Sequence, residues 1–231
     1  DLIFLHRMNP VVRPFFEWQE TGSFWVDLAN AQDMPLLRDM IRRHEGQESL
    51  AASDFWVQKL CAQVWVWRDG AKQANAFVLK INGHELVAEK NLPDAATQKV
   101  IDYQNRHLHL RQNEQSVIFR MWMANDTHQQ VSPLQSSIFL TIVQYYFTPG
   151  LAVSFLEVVQ PAFWKGVLSY ADLTHVPELD FEVNGVPHGF YVHDWRMRPP
   201  LAWLELMGKR EVGIAADMAI ETPQLQVIVL S

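Results

Sequence analysis

A glutamate inside a largely apolar run, residues 151–159 (LAVSFLEVV), is the first side chain that asks for a chemical reason. Such a carboxylate is either held for chemistry, its pKa raised by burial, or placed where the strand end meets water. For Glu157 both readings stand. A second candidate closes the run 186–194, where His193 and Asp194 sit in YVHDWR. Neighbours on a strand point to opposite faces, so these two cannot form a dyad without leaving strand geometry. His193 shares its face with Tyr191 and Trp195. It is therefore either an aromatic-packed histidine or, with an unperturbed pKa near neutrality, a general base. Asp194 is expected to pair locally with Arg196 or Arg198.

Two further groupings point to ligands. His107 and His109 lie in a stretch that reads as a helix, which sets them about 200° apart and rules out a shared metal. Gln129, Gln130, Val131 and Ser132 precede a helix that follows an apolar strand. Unpaired N–H groups and the helix dipole at such a start favour an anion. A plain strand–helix–strand crossover with no ligand fits the same residues. No Ser-His-Asp signature, CxxC pair, GxGxxG or Walker-type phosphate loop is present, which removes common hydrolase, dinucleotide and NTPase readings.

These residues hang on a central unit, 116–172. The strand 116–124 is apolar on both faces, as a central strand would be. Ser132 is placed to cap a helix with Pro133 at its first position, and Ile138, Ile142 and Tyr145 form its buried stripe. Pro149-Gly150 ends it, and the next strand is expected to run parallel through a right-handed crossover. A helix then starts at Gln160-Pro161.

Before this unit the pattern reads as a strand at 24–28, a helix capped by Asp33 and ended by Gly46, and a second helix capped by Ser53 or Asp54. A strand follows at 64–67, with a turn at Asp69-Gly70. A hairpin is expected over Asn82-Gly83 and a long helix over 93–110. After the unit, a second Asn-Gly pair, Asn184-Gly185, joins two strands, and a short helix over 201–207 ends at Gly208.

The chain has 231 residues, 48% hydrophobic and 19% charged, with net charge −7. That is enough for a large core, and it excludes a nucleic-acid surface as the main business of the molecule. Cys61 is the single cysteine, which fits a reducing, cytoplasmic compartment. No apolar run reaches transmembrane length and no membrane partner is expected. The chain opens on Asp1, so it is read as part of a longer protein. Residues 1–22 are read as an arm or as the tail of a preceding similar domain, the second reading resting on the echo of Arg13-Pro14 and Trp18 in Arg198-Pro199 and Trp203. Residues 23–210 make the main domain, and 211–231 an extension ending in a strand at 226–230.

Placed in order, these elements resemble the GCN5-related N-acetyltransferase (GNAT) superfamily over roughly residues 23–195. VDLANAQDMPLLRDMIR resembles its first strand and helix, VWVWRDG with ANAFVLKI its next hairpin, and WKGVLSYAD with the Asn184-Gly185 hairpin its last helix and strands. The resemblance implies a mixed α/β sheet flanked by helices, and transfer of an acyl group from acetyl-CoA or another acyl-CoA to an amine of a small molecule or protein. It implies that pantetheine pairs with the backbone of Trp122, Met123 and Ala124, and that the pyrophosphate rests on the amides of Gln129, Gln130, Val131 and Ser132. The family's loop carries glycines where this chain has Ser132 and Leu134. The resemblance further implies a tyrosine acid, for which Tyr170 is the candidate, with Glu157 and His193 as candidate bases. Two alternatives accompany it: a catalytically silent binding module of the same shape, and a transferase that takes its acyl group from a carrier protein. The tryptophans are read either as core or as the lining of a pocket for an acyl chain or an aromatic amine.

Overall fold

The structure, a computed structural model, describes residues 6–18 and 23–220, with backbone alone over 214–220. Eight strands among these residues form one sheet: β1 (Trp25–Leu28), β2 (Ala62–Arg68), β3 (Ala74–Asn82), β4 (Gln115–Ala124), β5 (Leu151–Val159), β6 (Thr174–His175), β7 (Phe181–Val183) and β8 (Val186–Asp194). Their order is β1-β2-β3-β4-β5-β8-β6, with β7 also on β8. Every pairing is antiparallel except β4 with β5. That one parallel pair is joined through α4 (Pro133–Tyr145), as a helical crossover requires.

Helices cover both faces, so the inner strands are apolar on both sides. On one face lie α1 (Met34–His44), α2 (Gly46–Trp56) and α3 (Ala95–Tyr103), packed through Leu37, Met40, Leu50, Trp56 and Val100 onto Phe77, Ile118, Phe155 and Phe190. On the other lie α4, α5 (Pro161–Tyr170) and α6 (Pro200–Ile220), with Phe139, Ile142, Trp164 and Trp203 against Val78, Phe119, Trp122 and Tyr191. Val12 and Phe16 of the arm are buried in this second core. Most of the tryptophans named above serve these two cores.

Several local expectations hold. Ser132 caps α4, its hydroxyl accepting from the Gln135 N–H at 3.1 Å. Asn184 and Gly185 take positive φ, 49° and 76°, as a two-residue hairpin turn demands. The other Asn-Gly pair does not turn a hairpin. Asn82 has φ −79°, the chain enters a 3-10 turn over Gly83–Leu86, and both edges of β3 are already taken by β2 and β4. Gly83 is needed there for closeness, since a Cβ would sit 2.7 Å from the Ser116 hydroxyl oxygen.

The second helix starts at Gly46, not at Ser53 or Asp54. Ser53 is buried in its last turns beside Leu50 and Trp56, so packing of one face overrides the capping preference of Ser and Asp. Gly208 does not end the last helix, which runs on to Ile220 with open space around Gly208. The α3 helix finishes in a π turn, Gln104–Leu108, and His109 is left-handed with φ 41°. No cluster of metal-ligating side chains occurs among the described residues. The expected strand at 226–230 lies outside them.

Candidate active site

The parallel pairing of β4 with β5 runs only from Gln115 to Phe119 opposite Leu151 to Leu156. Beyond that point the two strands part. At this open end the start of α4, the start of α5, the α1–α2 corner and the β7–β8 hairpin converge around a pocket of about 450 Å³. Gly46 makes the α1–α2 corner possible, with φ +84° and no room for a side chain beside Asn184. Asn184 in turn donates to the Glu45 carbonyl at 2.8 Å, which fastens the hairpin to the corner.

One side of the opening is made of backbone. The Trp122 carbonyl accepts from the Gln129 side-chain amide at 3.2 Å, and the Gln129 side-chain oxygen accepts from the Val159 N–H at 2.8 Å. A single side chain thus bridges the parted strands. The Trp122 indole closes the space below it, donating to the Glu157 carbonyl at 2.7 Å. Ala124 exchanges backbone bonds with His128, while Met123 lies opposite Phe77 on β3. At the α4 start the Gln130 amide donates to Thr127, Val131 is half-buried, and Ser132 spends its hydroxyl on the cap. The arm lies across the first turns of both helices. Phe15 packs on Phe163 and Trp164, Phe16 on Phe139, and the Glu17 N–H donates to the Ser136 hydroxyl at 2.9 Å.

The other side is made of charge. Glu157 is 0% exposed, which removes the strand-end reading. The register pairs Val159 with His188, and on that face of the sheet the His188 Nδ1–H donates to Glu157 Oε1 at 2.5 Å. Burial pushes the His188 pKa down, but the hydrogen bond and charge of Glu157 outweigh it and hold the imidazole above its ordinary value. Glu157 Oε2 has no hydrogen-bond partner. A second pair stands next to it: His128 Nε2 lies 3.0 Å from the buried Glu45. Burial raises the Glu45 carboxyl, and the bond to His128 with the nearby cationic groups more than reverses it, so its pKa falls below the usual range. The His44 ring stacks on His128 at 4.9 Å and 3°. Beneath both pairs Arg120 makes a two-point bridge to Asp94, at 2.8 and 3.0 Å. Trp56 and Thr97 also donate to that carboxylate.

The structure therefore brings Glu157 to the same opening as Trp122, Met123, Ala124, Gln129, Gln130, Val131 and Ser132. It does not bring His193 or Tyr170 there. His193 stands opposite Ser154, three residues down β5 from Glu157, or roughly 10 Å. Its two ring nitrogens meet the carbonyls of Asp172 and Arg198, and its ring lies 4.1 Å from Trp195. Asp194 pairs with Arg196, as expected. Tyr170 ends α5, seven residues and about 10 Å along the axis from Phe163 at the mouth. Its hydroxyl meets Asn9, His6 and Glu211, and burial with the Glu211 charge pushes its pKa up to about 12. His188, His128 and Glu45 were not singled out from sequence. The usable signal was Glu157 itself, because a buried carboxylate requires a donor on a neighbouring strand.

No family model and no curated protein sequence matches the chain. Solved structures do. NAA60 of Arabidopsis thaliana, in complex with acetyl-CoA, is 15% identical, with 75% of this chain and 99% of that chain covered and a TM-score of 0.50. FeeM, an N-acyl amino acid synthase from uncultured soil microbes, is 11% identical over 78% and 96% of the two chains, with a TM-score of 0.51. An uncharacterized protein of Bacillus halodurans is 8% identical over 88% and 97%, also at 0.51. The fold is the GNAT fold of these solved structures, a mixed sheet flanked by helices.

Proposed function

We propose that the protein transfers an acyl group from an acyl-CoA, acetyl-CoA included, to an amine of a small molecule or protein held in the pocket between the α1–α2 corner and the β7–β8 hairpin. The observation that carries this is the Glu157–His188 pair, buried at the point where β4 and β5 part. An amine reaches the site as an ammonium ion and must lose a proton before it can attack. With Nδ1–H bonded to Glu157, His188 presents Nε2 as the acceptor of that proton, and the carboxylate stabilises the imidazolium that forms. The freed amine then forms an N–C bond to the thioester carbonyl as the C–S bond breaks. A thiol with a pKa near 8.5 leaves readily as the thiolate, which takes up the second proton shed by the nitrogen as the amide forms. Backbone donors of β4 around Trp122 to Ala124 would polarise that carbonyl once the Ala124 N–H leaves the His128 carbonyl, and the α4 start would hold the donor's phosphates. Gln129 must first give up its bridge between Trp122 and Val159.

A second reading is a binding module that uses the pocket without acyl transfer. It is favoured by the same bridge and by the arm packed over the α4 and α5 starts. A donor borne on a carrier protein is a third, since it brings pantetheine without needing a nucleotide cradle, and the glycine-free loop suits it. No helix among the described residues is long and apolar enough to cross a membrane. On its single cysteine, the proposed location is a reducing one, the cytoplasm.

Thermal unfolding with acetyl-CoA, and separately with an acylated carrier protein, decides among the three. A donor at about 100 times its Kd stabilises the fold by about 2.7 kcal/mol. A shift together with amine-dependent thiol release supports transfer. No shift with either donor leaves the binding module.

A further inference from the structure

The amine, on the reading above, meets a wall with an unusual chemical bias. Every carboxylate of the site stands one layer back, Glu157 behind His188 and Glu45 behind His128. No Asp, Glu, Lys or Arg lines the pocket itself. What it presents instead is rings and small apolar side chains. His44 and His128 lie face to face, Trp164 stands at the back, and Phe163 at the rim is 50% exposed. Val186, on the hairpin opposite, is also exposed.

We infer that the acceptor is a primary amine carrying an aromatic ring, bound with the ring between Phe163 and the His44–His128 stack and the nitrogen towards His188. Three observations select this class. A polyamine needs carboxylates at the pocket surface for each extra ammonium group, because an unpaired charge taken out of water is costly. None is offered. A simple alkylamine would leave the exposed Phe163 ring uncovered, whereas a second ring covers it in the offset or edge-on geometry that aromatic pairs prefer. The volume, about 450 Å³, holds a drug-sized ligand rather than a single small amine. His44 is suited to the ring face, since burial and the neighbouring imidazole keep its pKa below the ordinary histidine value, so it stands neutral at physiological pH.

The test is calorimetric titration of the full chain, without any acyl donor, using 2-phenylethylamine, tryptamine, ethylamine and spermidine. The aromatic amines are expected to bind at least tenfold tighter than ethylamine and spermidine. In Phe163→Ala that preference falls severalfold. Tightest binding of spermidine, equal binding of phenylethylamine and ethylamine, or no binding of any amine overturns the inference. This outcome is separable from the fate of the transferase reading. Aromatic amine binding without acyl transfer keeps the pocket assignment and removes the transferase. Acyl transfer only to aliphatic amines does the reverse.

Discussion

The two walls of the opening between β4 and β5 are built on opposite rules. On the β4 and α4 side, the Trp122 carbonyl, both Ala124 backbone groups, the Gln130 amide and the Ser132 hydroxyl already have partners within the chain. On the α1–β8 side, charged groups are paired, yet Glu157 Oε2 and Arg120 Nη1 have no hydrogen-bond partner. Unsatisfied buried polar atoms are rare because each costs about 1–3 kcal/mol. A fold tolerates them where a site is kept ready for something else. The backbone wall is thus closed until a side chain moves, and the charged wall is prepared in advance. One wall depends on motion, the other on electrostatics.

Breaking the charged wall has the largest expected effect. Glu157→Gln leaves His188 without its anionic partner. Acyl transfer should fall about 10²-fold or more, the size of a general-base contribution. A rate that stays within a factor of two removes the pair from the mechanism. The pair also carries a pH signature. Its folded His188 pKa lies above the ordinary 6.5, so its stabilisation is full below about pH 6.5 and lost as pH rises through the raised value. Activity that needs a neutral His188 climbs over that same interval. Urea unfolding followed upward from about pH 6.5 should show stability falling as rate rises, and Glu157→Gln should flatten both slopes. Asp94→Ala tests the floor of the same wall. It strands the Arg120 guanidinium, and the expected loss is about 3–5 kcal/mol by denaturant unfolding. Burial alone would raise the Asp94 carboxyl, but Arg120 holds it at about 2 against an ordinary 3.8, so the pair's contribution persists above pH 3.8 and fades as pH falls through about 2.

The two walls also differ in how far they could be read from residues alone. The backbone wall is local. Apolar runs, the Ser132-Pro133 cap and the Pro149-Gly150 stop all lie within residues 116–159, and they dictate a strand–helix–strand unit without reference to the rest. The charged wall is assembled from Glu45, Asp94, Arg120, His128, Glu157 and His188, scattered over more than half the chain. Only Glu157 announced itself, by breaking an apolar pattern. His188 sits near the start of a strand whose local pattern does not mark it, and its role depends on the β5–β8 register, which no short-range signal specifies. Tyr170 and His193 drew notice for residue type and helix or strand position. Register and helix length then put each about 10 Å from the opening. The two Asn-Gly pairs make the same point. Asn184-Gly185 turns because β7 and β8 have free edges to pair, while Asn82-Gly83 follows a strand hemmed in on both sides.

On the closed wall, Gln129→Ala removes the bridge between Trp122 and Val159. Stability should fall by about 1–2 kcal/mol, the cost of two backbone groups left to water. If the bridge is a plug, the variant gains more thermal stabilisation from acetyl-CoA than the native chain does. A smaller gain would make Gln129 a contact of the donor. No gain in either protein would assign the wall to structure alone and favour the binding module.

Ser132→Ala gives the smallest effect and separates two roles of the same residue. Its hydroxyl accepts from the Gln135 N–H and also lies 3.2 Å from the Thr127 hydroxyl. Loss of a serine cap costs about 1 kcal/mol. That cost falls on α4 alone, so unfolding should show it with or without a donor. A phosphate-bearing donor resting on the same helix start would replace part of the lost interaction, because an anion there satisfies freed N–H groups and the helix dipole. The deficit of Ser132→Ala should therefore shrink most when acetyl-CoA, with its pyrophosphate, is present and less when a carrier-borne phosphopantetheine, with one phosphodiester, is supplied instead. A deficit unchanged by either donor would mean that nothing anionic sits at the α4 start, and the closed wall would then be closed for good.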